Sequence, residues 1–133
     1  MAGLYFEEFE VGQVFEHAIR RTITEADNVL ISTLTHNPAA LHLDEEYCRE
    51  HTEFGQRLVN SCLTLSLMVG ISVNDTTLGT AVANLGWDEE RFPAPRCHGD
   101  TIRVDTQGLD LRESPARPEH GQLGLDRRAC APH

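Results

Sequence analysis

The chain reads as an α+β protein in which a sheet wraps one central helix, and three stretches predict it. Residues 60–73 (NSCLTLSLMVGISV) open on Asn60 and Ser61, both good helix caps. They then set Leu63, Leu65, Leu67, Met68, Val69 and Ile71 around nearly the whole axis. A helix that is apolar on every side is a buried one. Residues 14–23 (VFEHAIRRTI) alternate loosely. Residues 101–111 (TIRVDTQGLDL) start with clear alternation, Ile102 and Val104 opposite Arg103 and Asp105. Period-two alternation suits strands with one face on a core.

The other elements follow in chain order. Residues 6–14 are an acidic lead-in that turns at Gly12. Thr24 opens a helix: Thr-Glu-Ala-Asp places Thr at the N-cap and acids in the first turn, at the positive end of the helix dipole. Val29, Leu30, Thr33 and Leu34 give that helix a short apolar face, and Pro38 ends it. Residues 36–44 (HNPAALHLD) form a loop, Glu45–His51 a short helix, and Gly55 a turn. Asn74-Asp75 close the central helix. Residues 80–87 (TAVANLGW) read as a strand interrupted by Gly86. Pro93 and Pro95 punctuate the chain before the turn His98-Gly99-Asp100, and Gly108 weakens the second half of the last alternating run.

The 133 residues suit one domain, 1–133, with no internal repeat. Its end, 114–133, is atypical. After Ser114 the chain reads PARPEHGQLGLDRRACAPH, with Pro115, Pro118 and Pro132 and alternation only at 122–125. Such a tail predicts that the final strands are incomplete, as in a reading-frame change or a truncated homologue.

Apolar residues are 40% and charged residues 24%, ordinary for a soluble globular protein. The net charge of −10 argues against a general nucleic-acid binder. It still allows a few local arginines to hold a phosphate. The N-terminus has no secretory pattern, and no apolar run is long enough to span a bilayer. Cys48, Cys62, Cys97 and Cys130 form no CxxC pair and no zinc spacing. The expectation is therefore a cytoplasmic protein with reduced thiols, no membrane partner and no metal.

HNPAALHLD gathers His36, Asn37, His42 and Asp44 within nine residues. A His beside a positioned carboxylate or amide can move a proton near neutral pH. The alternatives are a structural His42 tied to a backbone carbonyl, an Asp44 that caps the following helix, and a solvated His36. The second candidate is the start of the central helix at Asn60, Ser61 and Cys62. First-turn amides lack intrahelical acceptors and can stabilise a developing oxyanion. Asn60 could equally be a plain cap. Cys62 has no assigned base. Arg57, Arg91 and Arg96 could meet an anionic ligand. Trp87 and Phe92 suit either the core or ligand stacking.

Three stretches carry a resemblance. Residues 27–44 end in NPAALHLD, residues 54–69 hold GQRLVNS at the helix start, and residues 85–104 read LGWDEERFPAP…HGDTIRV. Together they resemble the MaoC-like hydratases, the (R)-specific enoyl-CoA hydratase group, and most closely its mesaconyl- and itaconyl-CoA hydratase-like subgroup. The resemblance covers roughly residues 5–113. It implies a hot-dog fold, an antiparallel sheet around the helix at about 60–73. It also implies a homodimer or double hot-dog, with acyl-CoA near a subunit interface. The implied reaction is hydration of a short 2,3-unsaturated acyl-CoA, or its reverse, with CoA carried by the substrate and no further cofactor. His42 matches the family histidine. Five residues earlier, Asn37 stands where most of the family has aspartate. An amide orients water but does not take its proton, so His42 acts alone, Asp44 substitutes, or activity is lost. Ser61 falls where the family has its oxyanion-hole glycine, and only its backbone N–H is needed. Asn60, Ser61, Arg57 and Arg91 are the substrate-binding candidates. A non-catalytic acyl-CoA-binding homologue and a hot-dog thioesterase are the alternatives.

Overall fold

A computed structural model describes residues 3–131. A 3-10 turn at Phe6–Glu8 precedes β1 (Val14–Glu16), β2 (Arg21–Thr22), α1 (Glu25–Leu34), α2 (Ala40–Leu43), α3 (Glu45–His51), α4 (Ser61–Thr76), β3 (Thr101–Glu113) and β4 (Gly121–Cys130). All strands pair antiparallel on β3. The backbone forms two compact units, and α4 and β3 each contribute to both.

One unit takes in the chain up to Arg20 with Met68–Gly86 and Arg103–Cys130. Its frame is the β3–β4 hairpin, which runs from Arg103↔Cys130 to Glu113↔Gly121. The tail therefore completes a strand, contrary to the expectation from its composition. Pro115 and Pro118 fall in the connecting turn, where no ladder N–H is required. There the backbone closes through Ser114 N–H to the His120 carbonyl. Beyond Ala131, Pro132 lies outside the described residues.

β1 flanks β3 with Val14 opposite Gln107. Residues 14–23 are not one strand. The pairing breaks after Glu16 and resumes as β2, with His17 N–H still donating to the Val104 carbonyl. Gly108 sits where β3 bulges. The turn at 10–13 crosses it through Gly12 N–H to the Gly108 carbonyl (2.8 Å), and a Cβ at Gly108 would lie 2.9 Å from the Glu10 carbonyl oxygen. Phe9, Ile71 and Val104 fill this unit beside buried His17, Ser72, Thr76 and Thr106. His17 Nδ1 pairs with Asp75 Oδ2 and Nε2 with Thr106 Oγ1, both at 2.8 Å. Arg127 Nε donates to Ser72 Oγ, and desolvation there lowers the guanidinium pKa. These contacts explain why α4 continues through Asn74 and Asp75 to Thr76 instead of closing earlier.

Residues 80–87 are a second correction. They form no strand and are largely exposed. Their β-like composition finds no ladder partner among the described residues, and a strand without a ladder is not stable. The apolar side chains of α4 are mostly half-buried, so the helix is not the fully buried one that its all-round apolar pattern predicts. Ile71 is its one buried large apolar residue among the described residues, accompanied by Thr64, Ser72 and Thr76.

The second unit takes in Arg21–Leu67 and Trp87–Ile102. Thr24 caps α1 as expected, in a capping box. Asp27 N–H donates to Thr24 Oγ1 while the Asp27 carboxylate accepts from Thr24 N–H. The face of α1 is not the one its apolar residues suggest. Leu30 and Leu34 are exposed, whereas Asn28 and Ser32 are fully buried. Polar backbone groups lie beneath that face, and buried polar groups need partners. Leu58 bridges Cys97, Val59 N–H donates to the Arg96 carbonyl, and Ile23, Cys48, Leu58, Val59 and Ile102 form the core.

Candidate active site

His42 lies on α2, a single helical turn within the segment expected to be a loop. Asn37 builds that turn. Its Oδ1 accepts from Ala39 N–H at 3.0 Å, an Asx-turn that starts α2 one residue on. Just ahead, His36 takes a left-handed φ of 56° past the end of α1 and is exposed. It takes no part in the site.

His42 Nδ1 lies 2.8 Å from the Leu58 carbonyl oxygen. A carbonyl only accepts, so Nδ1 carries the proton and neutral His42 keeps its lone pair on Nε2. The sequence leads from that carbonyl, in three residues, to the start of α4. Asn60 is buried, and its Oδ1 accepts from Cys62 N–H at 3.0 Å. Leu63 N–H donates to the Asn60 carbonyl. Asn60 thus caps α4, as one of its readings held. Ser61 is the first helical residue, and its N–H has no intrahelical acceptor.

Other expected residues are committed elsewhere. The Asp44 carboxylate accepts from Tyr47 N–H at 2.9 Å and caps α3, so it is bound to a helix end rather than to His42. Arg57 donates from Nε to Glu45 (2.7 Å) and from its terminal nitrogen to Glu25 (2.6 Å), with a side chain only 13% exposed. The Glu25 and Glu45 hydrogen bonds raise its pKa, and the same contact lowers that of Glu45. Arg57 therefore cross-links α1 and α3 and is not a spare cation. Arg91 is clasped by Glu89 at 2.7 Å in an exposed irregular segment. Cys62 is exposed. Cys48 is buried against the Ala40 and Leu41 carbonyls, where desolvation raises its pKa and keeps it a thiol.

Sequence reading missed two members of the network. Asn28 donates to the same Leu58 carbonyl (2.9 Å), and His98 Nε2 lies 3.0 Å from Asn28 Nδ2. The available signal was an Asn and a Ser four apart, at positions 28 and 32 of a helix whose other face carries the leucines. A cavity of about 270 Å³ in the first unit, lined by Glu16, His17, Ala18, Arg20, Arg103 and Asp105, contains none of these groups.

Neutral His42 thus offers a bare Nε2, held from behind by a backbone carbonyl three residues before the first amide of α4. The fold that carries it is the hot-dog fold. A Mycobacterium tuberculosis protein solved as a double hot-dog superposes with a TM-score of 0.82 at 27% identity, over 97% of this chain and 39% of that one. The MaoC like domain family matches residues 7–124, and the chain belongs to that family. It is 32% identical over 113 residues to the mesaconyl-CoA hydratase of Cereibacter sphaeroides, covering 85% of this chain and 32% of that protein. It is 35% identical over 118 residues to the beta-methylmalyl-CoA dehydratase of Chloroflexus aurantiacus, covering 84% and 31%. The chain thus spans about a third of the length of these curated relatives.

Proposed function

We propose that this chain is a hydro-lyase domain that adds water across the double bond of a short 2,3-unsaturated acyl-CoA, or removes it. The observation that carries this reading is the His42 Nδ1 hydrogen bond to the Leu58 carbonyl, which leaves Nε2 as a base. In the forward direction Nε2 takes a proton from water as its oxygen bonds to C3. Electrons move from the C2–C3 bond toward the thioester oxygen, which the Ser61 N–H stabilises. The enolate then collapses and C2 takes the proton back from the imidazolium. Asn37 contributes an amide N–H to hold the water. No cofactor beyond the CoA of the substrate enters the scheme. Hydratase and dehydratase relatives, both acting on CoA thioesters by name, support it.

The chain is read as a single domain, 1–133, that works as a homodimer, because irregular residues 80–92 leave Val82, Leu85, Trp87 and Phe92 exposed. Four free thiols fit a reducing, cytoplasmic setting. Loss of the conjugated-enoyl ultraviolet absorbance, with crotonyl-CoA and mesaconyl-type thioesters, tests the activity. Turnover is expected, and His42→Ala should reduce it at least about a hundredfold. Absence of turnover by the unmutated chain at high enzyme concentration would favour a second reading, an acyl-CoA binder without chemistry. Asn37 in place of the usual aspartate supports that alternative.

A further inference from the structure

The hydration scheme leaves unused a buried side chain, Asn28, that touches several of its parts. Asn28 is 0% exposed, inside a helix where asparagine is a poor former. Its amide orientation is fixed by its neighbours. Oδ1 faces Asn60 N–H at 2.8 Å, which only donates, and Nδ2 faces the Leu58 carbonyl at 2.9 Å, which only accepts. With Nδ2 therefore a donor, His98 Nε2 at 3.0 Å must accept, which places the His98 proton on Nδ1. A longer contact, 3.4 Å, reaches the His42 carbonyl. Asn60 in turn reaches Ser32 Oγ on the next turn of α1.

We propose that Asn28 is the positioning residue of this site: one buried amide fixes the carbonyl that orients His42, the backbone that starts α4, and the tautomer of His98. The proposal rests on the hydratase reading for its kinetic effect, but its geometry stands apart from it. The Leu58 carbonyl has two lone pairs, one for His42 Nδ1–H and one for Asn28 Nδ2–H. Removing the second donor frees that carbonyl to move, and with it the imidazole. The Asn60 N–H bond sets the neighbouring residue, Ser61, in the same way. Misplacing two groups that act on one substrate costs rate more than binding.

Asn28→Asp is the test, since it keeps size and the acceptor toward Asn60 while replacing both N–H donors by a carboxylate oxygen. In the full chain, folded by circular dichroism, kcat should fall about a hundredfold while KM stays nearly unchanged. Nitrogen-15 spectra of the imidazoles should show His42 leaving its single Nδ1–H tautomer and His98 gaining a proton on Nε2. A lower Tm with both tautomers and kcat intact would mean a merely structural asparagine and overturns the proposal. Should Asn28→Asp fail to fold, the imidazole spectra of the unmutated chain carry the test. A protonated Nδ1 and a bare Nε2 are expected on both neutral His42 and neutral His98, and a proton on Nε2 of either ring overturns the proposal. If the unmutated chain shows no turnover, the hydratase reading falls, and the histidine spectra alone decide the role of Asn28.

Discussion

At the scale of single residues, hydrogen-bond partners separate the side chain left with a bare ring nitrogen from those that hold backbone. Asn37 and Asp44 flank His42, and both side chains accept from main-chain N–H groups. Substitutions at the two positions have different expected outcomes. An aspartate at 37 can keep the bond to Ala39 N–H and adds a group able to take a proton. Asn37→Asp should therefore raise kcat about tenfold or more, read by the enoyl absorbance assay. Asp44→Ala should leave kcat/KM unchanged while lowering stability by about 1 kcal/mol in denaturant unfolding, as expected for a lost helix cap. A large loss of kcat in Asp44→Ala would return that carboxylate to the chemistry. His42 and Asn37 were singled out by the family resemblance of one local motif. Asn28 and His98 were not, because they stand 70 residues apart and meet only through the fold.

Among the elements, the helices capped by a local side chain were disclosed by the sequence, except α2, whose Asx-turn at Asn37 read as a loop. Thr24 and Asp27 cap α1, Asp44 caps α3, and α4 begins at Ser61, all through hydrogen bonds within three residues. Two segments whose fate depends on a distant partner were misread. β4 has weak alternation but ten ladder positions on β3, whereas residues 80–87 have good strand composition and no ladder. The α1 capping box also predicts a pH response. The Thr24 backbone N–H, joined by Arg21 and the Thr24 hydroxyl, holds the Asp27 carboxyl below its ordinary 3.8 against a smaller opposing effect of burial. A depressed carboxylate adds stability above its unfolded pKa and loses it as pH falls through the folded value. Amide hydrogen exchange in the first turn of α1 should thus accelerate below about pH 3.8, relative to the unfolded-chain rate. Asp27→Asn should flatten that dependence, and an unchanged profile would refute it.

For the whole molecule, the balance of apolar surface and charge determines what the chain does in solution. Val82, Leu85, Trp87 and Phe92 are 74, 76, 49 and 45% exposed within one short stretch. Apolar side chains left exposed together on irregular backbone offer a surface to another chain. Opposing this, each copy carries a net charge of −10. Two such copies repel at long range, and salt screens that repulsion while leaving apolar burial in place. Dimerisation should therefore strengthen as sodium chloride rises from about 0.01 M to about 0.15 M, where the screening length shortens from about 30 Å to about 8 Å. An assembly held by ion pairs would weaken instead. Sedimentation equilibrium across that range distinguishes the two, with Leu85→Lys expected to give monomer at both salts. A monomeric unmutated chain at high concentration and high salt would refute the dimer.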